Sequence, residues 1–162
     1  MILLINICKE KLHFYEFVKS VGDILIKNKI KGFIRHYSCL TKKDLEKADK
    51  IIICGTSLRD NEFLDKIDKF SWIKNYKKPI LGICGGSHII GLTLGKKLKK
   101  QKEIGLKEIN IDFLGVKGKK QVYHLNQFYV LPETFNRNNI YATLFHPEVR
   151  NKEIIVNFCN NA

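Results

Sequence analysis

Short apolar runs alternate along the chain with longer stretches whose apolar residues recur every three or four positions. This alternation predicts a parallel sheet covered by helices. Ile2 to Ile7 reads as a first strand. From Lys11 to about Lys27, Leu12, Phe14, Phe17, Val18, Val21, Ile24 and Leu25 fall on one face of an amphipathic helix, and Ile30 to His36 returns as a second strand. Thr41, with Asp44 three positions on, marks the N-cap of a short helix that ends before Ile51. Ile51-Ile52-Ile53-Cys54 is a buried-type strand ended by Gly55. A further helical pattern runs from Asp60 to about Tyr76, and Pro79 bars its continuation. Pro79 to Ile83 is then a strand entering a glycine-rich turn, and Ile89 to Leu98 resumes helical spacing.

The second half has a different texture. Strand-like pieces follow one another at Ile104 to Phe113, Gln121 to Leu131 and Tyr141 to Phe145, with Gly115 and Gly118 supplying a turn, before a last helix over Lys152 to Cys159. No repeat or linker interrupts the pattern. The expectation is one α/β domain over residues 1–162 with an antiparallel elaboration in its C-terminal half.

Composition narrows the class. A chain of 162 residues with 44% hydrophobic content can bury one core and enclose one site, and leaves no room for a second catalytic domain. The apolar N-terminal run meets Lys9, Glu10 and Lys11 too soon for a signal peptide or membrane span, so a cytoplasmic protein without a membrane partner is expected. The five cysteines are odd in number, scattered and free of any CxxC pair, which points to reduced thiols and to no metal site. A net charge of +13 raises nucleic-acid binding. The lysines are spread, however, and the densest run, Lys96-Lys97-Leu98-Lys99-Lys100, lacks interleaved aromatics. A solvated face or a patch for an acidic partner is the better expectation.

Candidate chemistry sits in two segments. Gly82-Ile83-Cys84-Gly85-Gly86 lies where a buried strand turns into a helix, the arrangement of a nucleophile elbow. Small neighbours permit a strained turn, and a helix N-terminus favours a thiolate and offers the Gly85 N–H to a developing oxyanion. A structural cysteine beside a packing turn explains the spacing equally well. Phe145-His146-Pro147-Glu148 ends another apolar strand, so His146 and Glu148 should emerge at the sheet edge where ligands of α/β folds collect. An imidazole can take a thiol proton and a carboxylate can orient the ring.

Together these segments resemble the class I, triad-type, glutamine amidotransferases. Pro79 to Gly86 is similar to the family's nucleophile segment, and Tyr141 to Val149 to its histidine and glutamate segment. Weaker likenesses are Ile53-Cys54-Gly55-Thr56, at the place of the oxyanion strand, and Glu103-Ile104-Gly105. The resemblance is strongest to the free-standing glutaminase subunits of archaeal-type GMP synthases. It implies a three-layer, flavodoxin-like α/β domain with a mainly parallel sheet. It also implies that Cys84 attacks the amide of glutamine, His146 acts as base and acid, Glu148 orients it, and Gly55 and Gly85 line the oxyanion hole. No cofactor is implied. With no GxxxxGK[ST] motif in the chain, the ammonia is expected to go to a separate synthetase.

The sequence departs from the family around the substrate. His88 stands where the family carries a glutamine that helps hold substrate, and Gln127, in Asn126-Gln127-Phe128, stands where a histidine is frequent. Both are candidate substrate contacts, and His124 is the less favoured one. Another amide or γ-glutamyl compound is therefore an alternative substrate for an independent cysteine hydrolase or peptidase. A non-catalytic binding subunit of the same fold is the third reading, which retention of all three triad residues opposes.

Overall fold

The computed structural model describes residues 1–162. Its central sheet has six strands in the order β2-β1-β3-β4-β8-β7. These are β1 (Ile2–Asn6), β2 (Gly32–His36), β3 (Lys50–Ile53), β4 (Ile80–Ile83), β7 (Thr134–Arg137) and β8 (Ile140–Thr143). All neighbours run parallel except the antiparallel edge pair β7–β8. The inner strands read as unbroken apolar runs because both faces are covered. Ile2, Leu4, Ile52, Leu81 and Ile83 join one core with Val21, Leu25, Ile155 and Phe158, while Leu3, Ile5, Ile51, Ile53 and Ile80 join another with Phe63, Phe70, Ile73 and Ile90. The period of two thus sends alternate residues into two separate cores. The result is the expected three-layer fold with a mainly parallel sheet.

Helices α1 (Lys11–His13) and α2 (Lys19–Lys27) are joined by a π-helical turn at Phe14–Val18. The extra residue of that turn shifts the face. Leu12, expected inside, is 75% exposed, while Phe17 and Val18 are buried. Helix α3 (Lys42–Lys47) has the expected capping box between Thr41 and Asp44. Residues Glu62–Asn75 form 3₁₀ helix broken at Lys66 rather than a continuous α-helix. Helix α4 (Gly85–Thr93) begins at the elbow and stops sooner than its apolar spacing predicts, with Gly95 at φ 84° in the left-handed position that follows a helix end. The lysine-rich segment beyond it turns into β5 (Lys99–Phe113), which pairs with β6 (Val116–Tyr129) in a separate two-stranded ribbon. The ribbon turns at Leu114 and Gly115, both at positive φ, whereas Gly118 lies inside β6. Its tip packs on α5 (Glu153–Asn161), where the Asn157 side chain donates to the Leu114 carbonyl at 2.7 Å. No helix is long and apolar enough to cross a membrane.

Candidate active site

The strands β3, β4 and β8 are neighbours in the sheet, so the segments that follow them converge at one edge. Gly55 follows β3, Cys84 follows β4 and His146 follows β8. Cys84 adopts φ 47° and ψ −101°, a conformation that costs a non-glycine residue on the order of 1–3 kcal/mol. Two backbone bonds hold it there: its N–H donates to the Thr143 carbonyl at 2.8 Å, and the His88 N–H donates to its carbonyl at 3.1 Å. The elbow glycines serve a purpose different from the expected one. Neither Gly85 nor Gly86 has positive φ; the strain falls on the cysteine itself. A Cβ on Gly86 would lie 2.2 Å from the Ile53 carbonyl oxygen, and one on Gly82 would lie 2.6 Å from the Gly86 backbone. The glycines let α4 press directly against β3 and β4.

His146 is fully buried. Its Nδ1 lies 2.7 Å from Glu148 Oε1, and its ring packs between Phe17 and Tyr123, with Gly55 close enough that a Cβ there would meet Cε1 at 2.8 Å. Burial opposes a charge on the ring, but Glu148 and Cys84 together raise its pKa well above the ordinary histidine value. Nε2 is enclosed without a well-formed hydrogen bond, and the group that acts on the ring from that side is Cys84. The Cys84 thiol itself donates to the Leu125 carbonyl at 3.5 Å.

Cys84, Gly85, His88 and Gln127 line one cleft with Thr56, Ser57 and Asn126. His88 is 3% exposed, and its pKa falls to about 4, first through burial and then through the charge on His146, so it is neutral at ordinary pH. Its Nδ1 has no partner. Neither His146 nor Glu148 lines this cleft, and Glu148 borders a separate hollow with Ser20, Asp23 and Lys152. Gly55 touches the His146 ring, and Thr56 and Ser57 beside it reach the cleft. Asn126 was not singled out by the sequence. Its amide nitrogen donates to the Gln101 and Phe128 carbonyls at 3.1 Å each, leaving a buried Oδ1 unpartnered at the cleft wall. Its position beside Gln127 was the available signal.

His124 lies outside the cleft. Its Nε2 bonds Glu133 at 2.7 Å, its Nδ1 is 3.8 Å from Glu103, and Lys107 approaches both carboxylates. This group ties β5, β6 and the turn before β7 together. Glu103, His124 and Glu133 are near enough to share a cation, but the Lys107 ammonium already faces their negative charge.

The cleft encloses about 10 Å³, room for about one water. A ligand the size of an amino acid does not fit this volume as it stands.

The family described as Glutamine amidotransferase class-I matches residues 14–136, a span that includes the elbow and stops short of His146. A glutamine-hydrolyzing GMP synthase subunit of Thermoplasma acidophilum is 28% identical, with 70% of each chain covered. The corresponding GMP synthase subunit from Saccharolobus solfataricus is 29% identical, with 68% of this chain and 73% of that one covered. Among solved structures, a GMP synthase subunit from T. acidophilum superposes with a TM-score of 0.84 at 21% identity, covering 98% of this chain and 91% of that one. A glutamine amidotransferase from Thermotoga maritima gives 0.67 at 17% identity, covering 91% and 75%. The sheet order, the elbow and these matches agree, and the chain belongs to the class I glutamine amidotransferase family.

Proposed function

We propose that this protein hydrolyses the side-chain amide of glutamine and passes the ammonia to a separate synthetase. The observation that carries the proposal is His146 Nε2, enclosed and unpartnered beside a cysteine held at positive φ, with Nδ1 fixed by Glu148. The proton of the Cys84 thiol passes first to Nε2, a transfer that the raised proton affinity of His146 favours, and the sulfur then attacks the amide carbon while the Gly55 and Gly85 amides receive the oxyanion. Collapse expels the nitrogen, which takes the proton from His146 and leaves as ammonia, with a γ-glutamyl thioester on Cys84. Water, deprotonated by the same Nε2, then attacks the thioester, and glutamate departs as sulfur regains its proton. His88, Gln127 and the Asn126 Oδ1 supply polar contacts to the amino-acid end of the substrate. Relatives named as glutamine-hydrolyzing subunits of GMP synthase support the substrate and the existence of a partner.

The test is an ammonia and glutamate assay on purified protein with a panel of amides, alone and supplemented with lysate from its source. Equimolar ammonia and glutamate from glutamine, abolished in Cys84→Ala, is expected. Faster turnover of another γ-glutamyl amide without any partner would favour the independent hydrolase, a reading that neutral His88 at the substrate position supports. No amide turned over in either condition would leave only the binding subunit.

A further inference from the structure

A second concavity of about 860 Å³ lies between α3 and the end of the Glu62–Asn75 helix, and it shares no residue with the cleft at Cys84. Its volume is that of a small-molecule site. Trp72, Tyr76, Leu40 and Leu45 give it an apolar floor, in which the Trp72 and Tyr76 rings meet edge to face with centroids 5.5 Å apart. The indole Nε1 of Trp72 is shut off from solvent and has no acceptor. Lys69 and Lys77 are exposed at the rim, neither in an ion pair, whereas Lys42 is matched to Glu46 at 3.8 Å and Lys78 donates to the carbonyls of Glu46 and Ala48. The wall therefore carries a surplus of positive charge around an aromatic floor.

We propose that this concavity binds a small aromatic anion of nucleoside-phosphate type. The planar base lies against the accessible face of the Trp72 ring, and the phosphate is met by Lys69 and Lys77. Neutral nucleosides lack the group that the lysines recognise, and inorganic phosphate lacks the ring.

Trp72 is the only tryptophan in the chain, so its fluorescence reports this site alone. Full-length Cys84→Ala protein, which cannot turn over an amide, is titrated with AMP, GMP, guanosine and inorganic phosphate, by fluorescence with inner-filter correction and by calorimetry. Saturable 1:1 binding of at least one nucleotide is expected, at least about tenfold tighter than guanosine or phosphate. The double variant Lys69→Glu/Lys77→Glu, altered only at exposed positions, is expected to lose about tenfold in affinity with an unchanged melting temperature. Trp72→Leu, followed by calorimetry, should lose as much. Absence of saturable binding up to millimolar nucleotide would overturn the proposal, as would affinity indifferent to both variants or binding that competes with a glutamine analogue at the cleft. None of these outcomes depends on whether the wild-type protein hydrolyses glutamine.

Discussion

At the scale of single residues, Cys84 and His146 act as one unit in the proposed reaction. Cys84→Ala and His146→Ala should each abolish nearly all turnover, and the double variant should be hardly slower than either. Multiplicative losses would mean that the two work independently. Glu148→Gln keeps a partner for Nδ1 and should cost less. His88 offers a different test. A glutamine side chain can donate and accept in fixed geometry, whereas neutral imidazole has one donor and one acceptor on a broader ring. Replacing it, His88→Gln, should lower KM for glutamine about tenfold with little change in kcat; unchanged KM for every amide would remove His88 from substrate binding. These residues were legible in sequence because each sits in a short contiguous motif with a chemical reason for its spacing. Asn126 was not, since what makes it matter is which groups the fold leaves unpaired, and no local pattern records that.

At the scale of elements, the strands of the parallel sheet were readable because burial on both faces leaves unmixed apolar runs such as Ile51-Ile52-Ile53. The long ribbon was harder. Residues 99–103 of β5 are largely exposed and charged, so they carry no alternation, and their pairing partner lies far along the chain. The 3₁₀ character of Glu62–Asn75 and the π turn at Phe14–Val18 were likewise hidden, because a period near three and a half does not separate the helix types over so few turns. The ribbon also has a kinetic consequence. With Leu125 against the thiol and space for about one water beside it, access to Cys84 requires an opening step. Alkylation of Cys84 in excess iodoacetamide should therefore reach a rate that no longer rises with reagent concentration. A strictly linear dependence would show that the thiol is already open.

Across the whole molecule, the buried ionisable groups set an asymmetric response to pH. His88 binds fewer protons folded than unfolded between about pH 4 and 6.5, so acidification through that window removes on the order of 3 kcal/mol. Asp44, held down chiefly by the Thr41 hydroxyl, and Asp60, where bonds from His13 and backbone amides outweigh burial, add losses only as pH falls below 3.8 through their lowered values. His146 works the other way: its contribution is full below pH 6.5 and fades as pH rises toward its raised pKa. Stability should peak near pH 6.5, and His88→Gln should flatten the acid limb while leaving the alkaline limb intact. Thermal melts of both proteins from pH 4 to 9 decide this, and parallel acid limbs would refute the assignment. The β5–β6 ribbon joins this scale to the others. It is a lever with its fulcrum on α5, where Asn157 grips the tip at Leu114, and with its far arm resting on the Cys84 thiol. A body that docks on α5 and tilts that fulcrum could unlatch the thiol without touching a single residue of the cleft.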